Sequence, residues 1–149
     1  MASKTDAVIL ALTAMWTAAL TSAVVADGPQ ANSDAANDWL FVGADGDAPD
    51  EGNEAAAVEQ SWMAFARTKQ EDGEVTCAVV SRSGDTNIPA LRARAYALFS
   101  AAEDALRADN TLGGLLMQSY VSAHQYSPAQ TTQGGRVRVV FTVTYQAQI

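Results

Sequence analysis

Hydrophobic side chains recur along this chain with two periods, and each change of period marks an element boundary. The cleanest stretch is 136–145, where Val137, Val139, Phe141, Val143 and Tyr145 alternate with Arg136, Arg138, Val140, Thr142 and Thr144. A period of two puts the first set on one face of a strand, and that face is predicted to be buried. From Ile88 the period becomes helical: Ile88, Leu91, Ala95, Leu98, Phe99, Ala102 and Leu106 fall within about 100° of arc, the width of a core-facing stripe. Asp85, Thr86 and Asn87 offer capping oxygens ahead of this helix, and Pro89 sits in its first turn, where a missing N–H breaks no bond. The helix is expected to end near Asp109, with Gly113 and Gly114 making the next turn.

A second, N-terminal helix is predicted over about 5–25, because Val8, Leu12, Met15, Trp16, Ala19, Leu20 and Ala23 share a face at helical spacing. Its back carries Ala7, Ala11, Ala14 and Ala18 where a solvent-facing helix normally carries Lys and Glu. Side chains that small and uncharged let another backbone approach, so this stripe is a candidate subunit contact. Residues 7–26 hold no charge, follow Lys4 and end in Val24, Val25 and Ala26, the outline of a signal peptide. Asp6 in the basic flank and Thr5, Thr13, Thr17 and Thr21 speak against that reading. They also speak against a spanning helix, which needs about 20 predominantly apolar residues.

Between the helices, 39–42 reads as a short strand. Residues 43–59 read as a long acidic loop, with Asp45, Asp47, Asp50, Glu51, Glu54 and Glu59 among Gly, Pro and Asn. Residues 60–67 and 75–82 form a predicted hairpin joined by 68–74, which contains Asp72-Gly73, with Trp62, Ala64 and Ala66 on one face. Residues 115–126 add a further strand. The order lacks strand-helix alternation and gives α+β: a largely antiparallel or mixed sheet of about four to five strands, with two main helices packed against it in one domain.

Composition narrows the function. The 149 residues are 48% hydrophobic and 17% charged, enough to build a core. A net charge of −8 removes the usual route to nucleic-acid affinity, which neutralises phosphates with Lys and Arg. Cys77 is the only cysteine and falls in the alternating run Val75, Cys77, Val79, where it reads as a small buried hydrophobe. His124 is the only histidine and has no Ser or Cys motif beside it. The acidic run fails as a calcium loop because Pro49 and Asp50 stand where the third ligand and the glycine belong. Glu103 and Asp104 lie off the apolar stripe and make no buried acid pair. No phosphate loop or catalytic signature occurs. Neither an enzyme, nor a metal, nor a cofactor is expected.

The borders of the central helix carry a resemblance. Ser83-Gly84-Asp85, Arg92-Ala93-Arg94-Ala95-Tyr96-Ala97-Leu98, Glu103-Asp104-Ala105-Leu106-Arg107 and Leu112-Gly113-Gly114 look like the signature of tail terminator proteins of long-tailed (siphovirus-type) actinobacterial phages. Trp39-Leu40-Phe41-Val42-Gly43, the acidic segment after it and Phe141-Thr142-Val143 also fit. The resemblance implies a structural virion protein forming a ring, usually of six copies, at the tail-to-neck junction after assembly in the host cytoplasm. Such a ring caps the head-proximal end of the tail tube, stops polymerisation and docks the tail to the neck. The implied partners are further copies of the chain, the major tail tube protein and a neck or head-closure protein. DNA passes without specific binding, and no membrane is involved. Candidate interface residues are Ala7, Ala11, Ala14, Ala18, Asp45, Asp47, Asp50, Arg92, Arg94 and Arg107, by charge complementarity and close approach. The alternatives are a head-closure or head-to-tail connector subunit and, more distantly, a small-ligand module with a pocket lined by Trp39, Trp62 and Tyr96.

Overall fold

The computed structural model describes residues 2–29, 36–46, 54–63, 67–132 and 134–149. In chain order the elements are α1 (Thr5–Ala19), β1 (Val24–Asp27), β2 (Asp38–Val42), β3 (Ala56–Trp62), β4 (Lys69–Ser83), α2 (Ile88–Ala108), β5 (Gln118–Thr131) and β6 (Gly134–Gln148). The strands form one mixed sheet in the order β1-β2-β4-β6-β5, and β3 joins the β2 side of β4. Among the described residues only β1 with β2 is parallel. The fold is α+β, with six strands rather than the four to five expected.

Both helices lie on the same face of the sheet, and alternation decides which side chains meet them. Along β6 every second residue from Gly135 to Ala147 is buried, including Val137, Val139, Phe141, Val143 and Tyr145. Val75, Cys77 and Val79 of β4 line the same layer. Phe141 is its centre: Trp16 of α1 meets it edge-on at 5.8 Å and Phe99 of α2 at 5.2 Å, the geometry aromatic quadrupoles favour. The Trp16 indole N–H donates to the Ala102 carbonyl at 3.0 Å, so a buried polar atom is satisfied and α1 is tied to α2. In α2 the stripe from Leu91 to Leu106 is buried, Ile88 is half-buried, and Asn87 caps the first turn by accepting from the Ala90 amide.

Three expectations are corrected. α1 ends at Ala19, not near 25; Val24 and Val25, β-branched and stiff at χ1, instead pair with Trp39 and Leu40 as part of β1. The predicted hairpin exists, but β3 begins at Ala56, which takes 56–59 out of the acidic loop, and β4 begins at Lys69. Asp72-Gly73 is therefore mid-strand. Long-range pairing outweighs the local turn signal, because β6 offers β4 a continuous partner from Gln70 to Ser83. Gly73 is accommodated because a Cβ there would overlap the Tyr145 ring. Finally, β5 runs later than expected, Gln118–Thr131 instead of 115–126. The shared face of Trp62 with Ala64 and Ala66, and most of the acidic loop, lie outside the described residues.

The other face of the sheet carries no helix among the described residues. At one corner Ala26, Trp39 and Val80 form a small second core, with Phe41 stacked on Trp39 at 5.5 Å. Residues 43–46 fold back over this corner, where Arg138 donates to the Asp45 carbonyl at 2.9 Å and Arg136 to that of Gly46. Gly46 has φ +74°, and a Cβ there would lie 2.8 Å from Val80 Cγ2, so this close crossing requires glycine.

Candidate functional site

The predicted interface residues do not converge. On α1, Ala14 and Ala18 are exposed, whereas Ala7 and Ala11 are half-buried and Ala11 packs against the core. The solvent side of the helix instead runs through Leu10, which is 56% exposed, with Ala14, Thr17 and Ala18. On α2, Arg94 is a clamp: its guanidinium meets Asp38 at 2.9 Å and donates to the Arg82 carbonyl at 2.6 Å. That fixes α2 to the start of β2 and the end of β4. Arg107 pairs loosely with Glu103 at 3.5 Å, one helical turn away. Arg92 points into solvent with neither hydrogen bond nor ion pair among the described residues. Asp45 sits on the open face and offers its backbone carbonyl to Arg138. Asp47 and Asp50 lie outside the described residues.

The aromatics considered for a ligand pocket are also apart. Trp39 is buried on the open face, Trp62 is 64% exposed on β3, and Tyr96 contacts His124 and Tyr126 between α2 and β5. His124 is exposed with its ring 5.0 Å from Phe99, so it serves as a rim aromatic. Among the described residues no three His, Cys, Asp or Glu side chains come together as a metal site.

The most connected polar cluster was not predicted. Glu71 is sealed from solvent, although it lies near the end of the sheet opposite Ala147. Its carboxylate accepts from the Lys4 amide at 3.0 Å, the Gln60 side chain at 2.8 Å and the Tyr145 hydroxyl at 2.9 Å. Tyr145 also shares a 2.9 Å hydrogen bond with the Thr5 hydroxyl, and Lys4 Nζ donates to the Leu115 carbonyl. Burial alone raises the Glu71 carboxyl, but hydrogen bonds from Gln60, Ser3, Tyr145 and the Lys4 amide outweigh it and hold the group below its ordinary value. Burial pushes the Tyr145 phenol up to about 12; the Thr5 hydrogen bond opposes this, and the hydrogen bond and charge of Glu71 reinforce it.

This cluster holds structure together. Each donor comes from a different place: the start of α1, β3 and β6. The Glu71 carboxylate also stands at the N-terminus of α1, where amide donors lack partners and the helix dipole favours negative charge. With its oxygens occupied, Glu71 has no free lone pair aimed at a cleft. The Cys77 thiol is buried and pushed up to about 12, so it remains protonated and unreactive. The sequence signal for Glu71 was present: the alternation Val75, Cys77, Val79 extends back through Gly73 to Glu71 once Asp72-Gly73 is no longer read as a turn.

What the surface offers is edges. β5 bonds only to β6, β3 only to β4, and their outer sides are uncovered among the described residues. β5 has 14 residues and no Asp, Glu, Lys or Arg. Native edge strands are usually protected by charge or brevity; here only Pro128 and an irregularity between Val121 and Ala123 interrupt the edge. No protein-family model matches this chain, and no curated protein does. No helix among the described residues is long and apolar enough to cross a membrane.

Proposed function

We propose that this chain is a tail-terminator-like structural protein, which assembles as a ring, most simply of six copies, on the head-proximal end of a phage tail tube, stops its growth and docks it to the neck. The observation that carries the reading is the ordered set of resembling segments around one helix: the turn at 83–85, α2 itself and the turn at 112–114. Three features support it. A ring needs a heterologous interface that closes by rotation, and this sheet ends in unlike edges, β5 on one side and β1 with β3 on the other, of which β3 and β5 are uncovered among the described residues. Glu71, the one charged side chain buried among the described residues, has its carboxylate taken up by structural hydrogen bonds. The net charge of −8 suits a channel that DNA crosses without sticking.

The test is reconstitution with the tail tube protein of the same phage. The protein is expected to bind tube ends, shorten the tubes formed during polymerisation and appear as a terminal ring by electron microscopy. Binding to portal-side rings with no effect on tube length would replace this reading with that of a head-closure subunit.

A further inference from the structure

The large apolar side chains left exposed are not scattered. Among the described residues, Val58, Trp62 and Met63 stand at β3, and Met117 and Tyr120 stand at the start of β5, leaving only Leu10 and Val24 elsewhere. The two groups occupy opposite edges of the sheet but the same level along it. One row of paired residues runs Val58, Gly73, Tyr145, Ser119 across β3, β4, β6 and β5; the next runs Glu59, Asp72, Gln146, Gln118. A neighbour displaced across the strands, with no shift along them, therefore brings Val58 and Trp62 towards Met117 on the helix-bearing side of the sheet and sets Ala57 opposite Tyr120 on the other side.

We propose that β3 of one copy adds to the start of β5 of a second copy, continuing the sheet from subunit to subunit. Strand direction agrees. β3, β4, β6 and β5 alternate in direction, so β3 runs opposite to β5, and a neighbour in the same orientation presents β3 antiparallel to β5. Charge agrees as well: an acidic chain meets like-charge repulsion over most of its surface, whereas β5 carries no charge and β3 carries only Glu59. Because the same chain holds both halves of the match, the occupant is another copy of itself. The two halves differ, so the contact is head-to-tail and propagates until it closes. This interface deepens the ring reading and rests on it for closure.

Cysteine cross-linking tests the register. Glu59 and Gln118 lie on one row, both exposed, and directly opposed residues on adjacent strands fall within disulfide reach. Native Cys77 is buried and gives no background. Glu59→Cys protein mixed with Gln118→Cys protein, alone and on tube ends, is expected to form the mixed 59–118 disulfide under mild oxidation, and the double variant a ladder ending in a closed species. Absence of the mixed link, or links only between like positions, overturns the proposal. Trp62→Ser with Tyr120→Ser changes exposed side chains and should leave the fold intact while lowering the assembled fraction at least tenfold; unchanged assembly also overturns it. Tube capping separates the two readings. Protein that caps tubes without the 59–118 link keeps the terminator reading and loses this interface, and protein that links but ignores tubes does the reverse.

Discussion

The two helices cover the same face of one sheet but are held there differently. α2 is held by a continuous apolar stripe, a capped first turn and the Arg94–Asp38 clamp, and its outward side carries Arg92, Glu103, Asp104 and Arg107. α1 buries only Val8, Leu12 and Trp16 within its helical turns, and its first residues are fixed by hydrogen bonds to Glu71 and Tyr145. Its outward side carries almost no charge. A helix with ample apolar contact tolerates loss of a single polar bond. One with a narrow buried stripe depends on each anchor, so α1 is the part of the layer that polar chemistry controls.

The sharpest way to break this contrast is Trp16→Ala, which removes the contact with Phe141 and the bond to Ala102. It should cost about 3–5 kcal/mol, read as a shifted urea midpoint, with α1 amides exchanging before those of α2. Glu71→Gln comes next. It puts a donor among donors and should cost about 1–3 kcal/mol at neutral pH. Because the folded Glu71 carboxyl lies below its ordinary value, its stabilisation is complete above the unfolded pKa and disappears as pH falls through the lowered folded value. The wild type should therefore lose α1 anchoring in acid, and Glu71→Gln should flatten that dependence. Tyr145 gives the opposite limb: its raised value contributes stability below the ordinary phenol range that is lost as pH rises towards about 12. Denaturation midpoints measured across pH test both signs.

Asn87→Ala tests the other helix and should cost about 1 kcal/mol, visible in a thermal melt but without pH dependence in the acid range. The smallest effect is expected at the exposed back of α1, where Ala14→Glu should stay within about 0.5 kcal/mol of wild type. Ala11→Glu, against the core, should destabilise clearly more. Equal melting temperatures for these two variants would contradict the orientation of α1 described above.

How much of this was legible in the sequence followed from how local each signal was. α2 and the inner face of β6 could be read directly, because stripe, cap and alternation lie within single segments. β1 was missed because its strand state depends on β2, a partner remote in sequence, while its composition continued that of the helix before it. Asp72-Gly73 misled because turn chemistry is a local preference, overruled here by the pairing of β4 with β6. The fold class survived both errors, since neither changed which faces are apolar. The candidate site fared less well: Arg94 was an interface candidate, and only the fold brings Asp38, remote in sequence, beside it, whereas Glu103 and Arg107 stand four apart on one helix, a spacing that lets them meet. The matched rows at the two edges were invisible in sequence, because they emerge only after four strands are set in register.

The overlap of Gly73 with Tyr145 has a consequence for how this chain can vary. The ring occupies the volume a side chain at 73 would need, so any larger residue there requires a smaller one at 145. A smaller residue at 145 brings no hydroxyl to Thr5 or Glu71, and the start of α1 is then released. Positions 73 and 145 thus behave as one heritable unit, and among related chains the attachment of the first helix should be lost or kept together with a glycine in the middle of a distant strand.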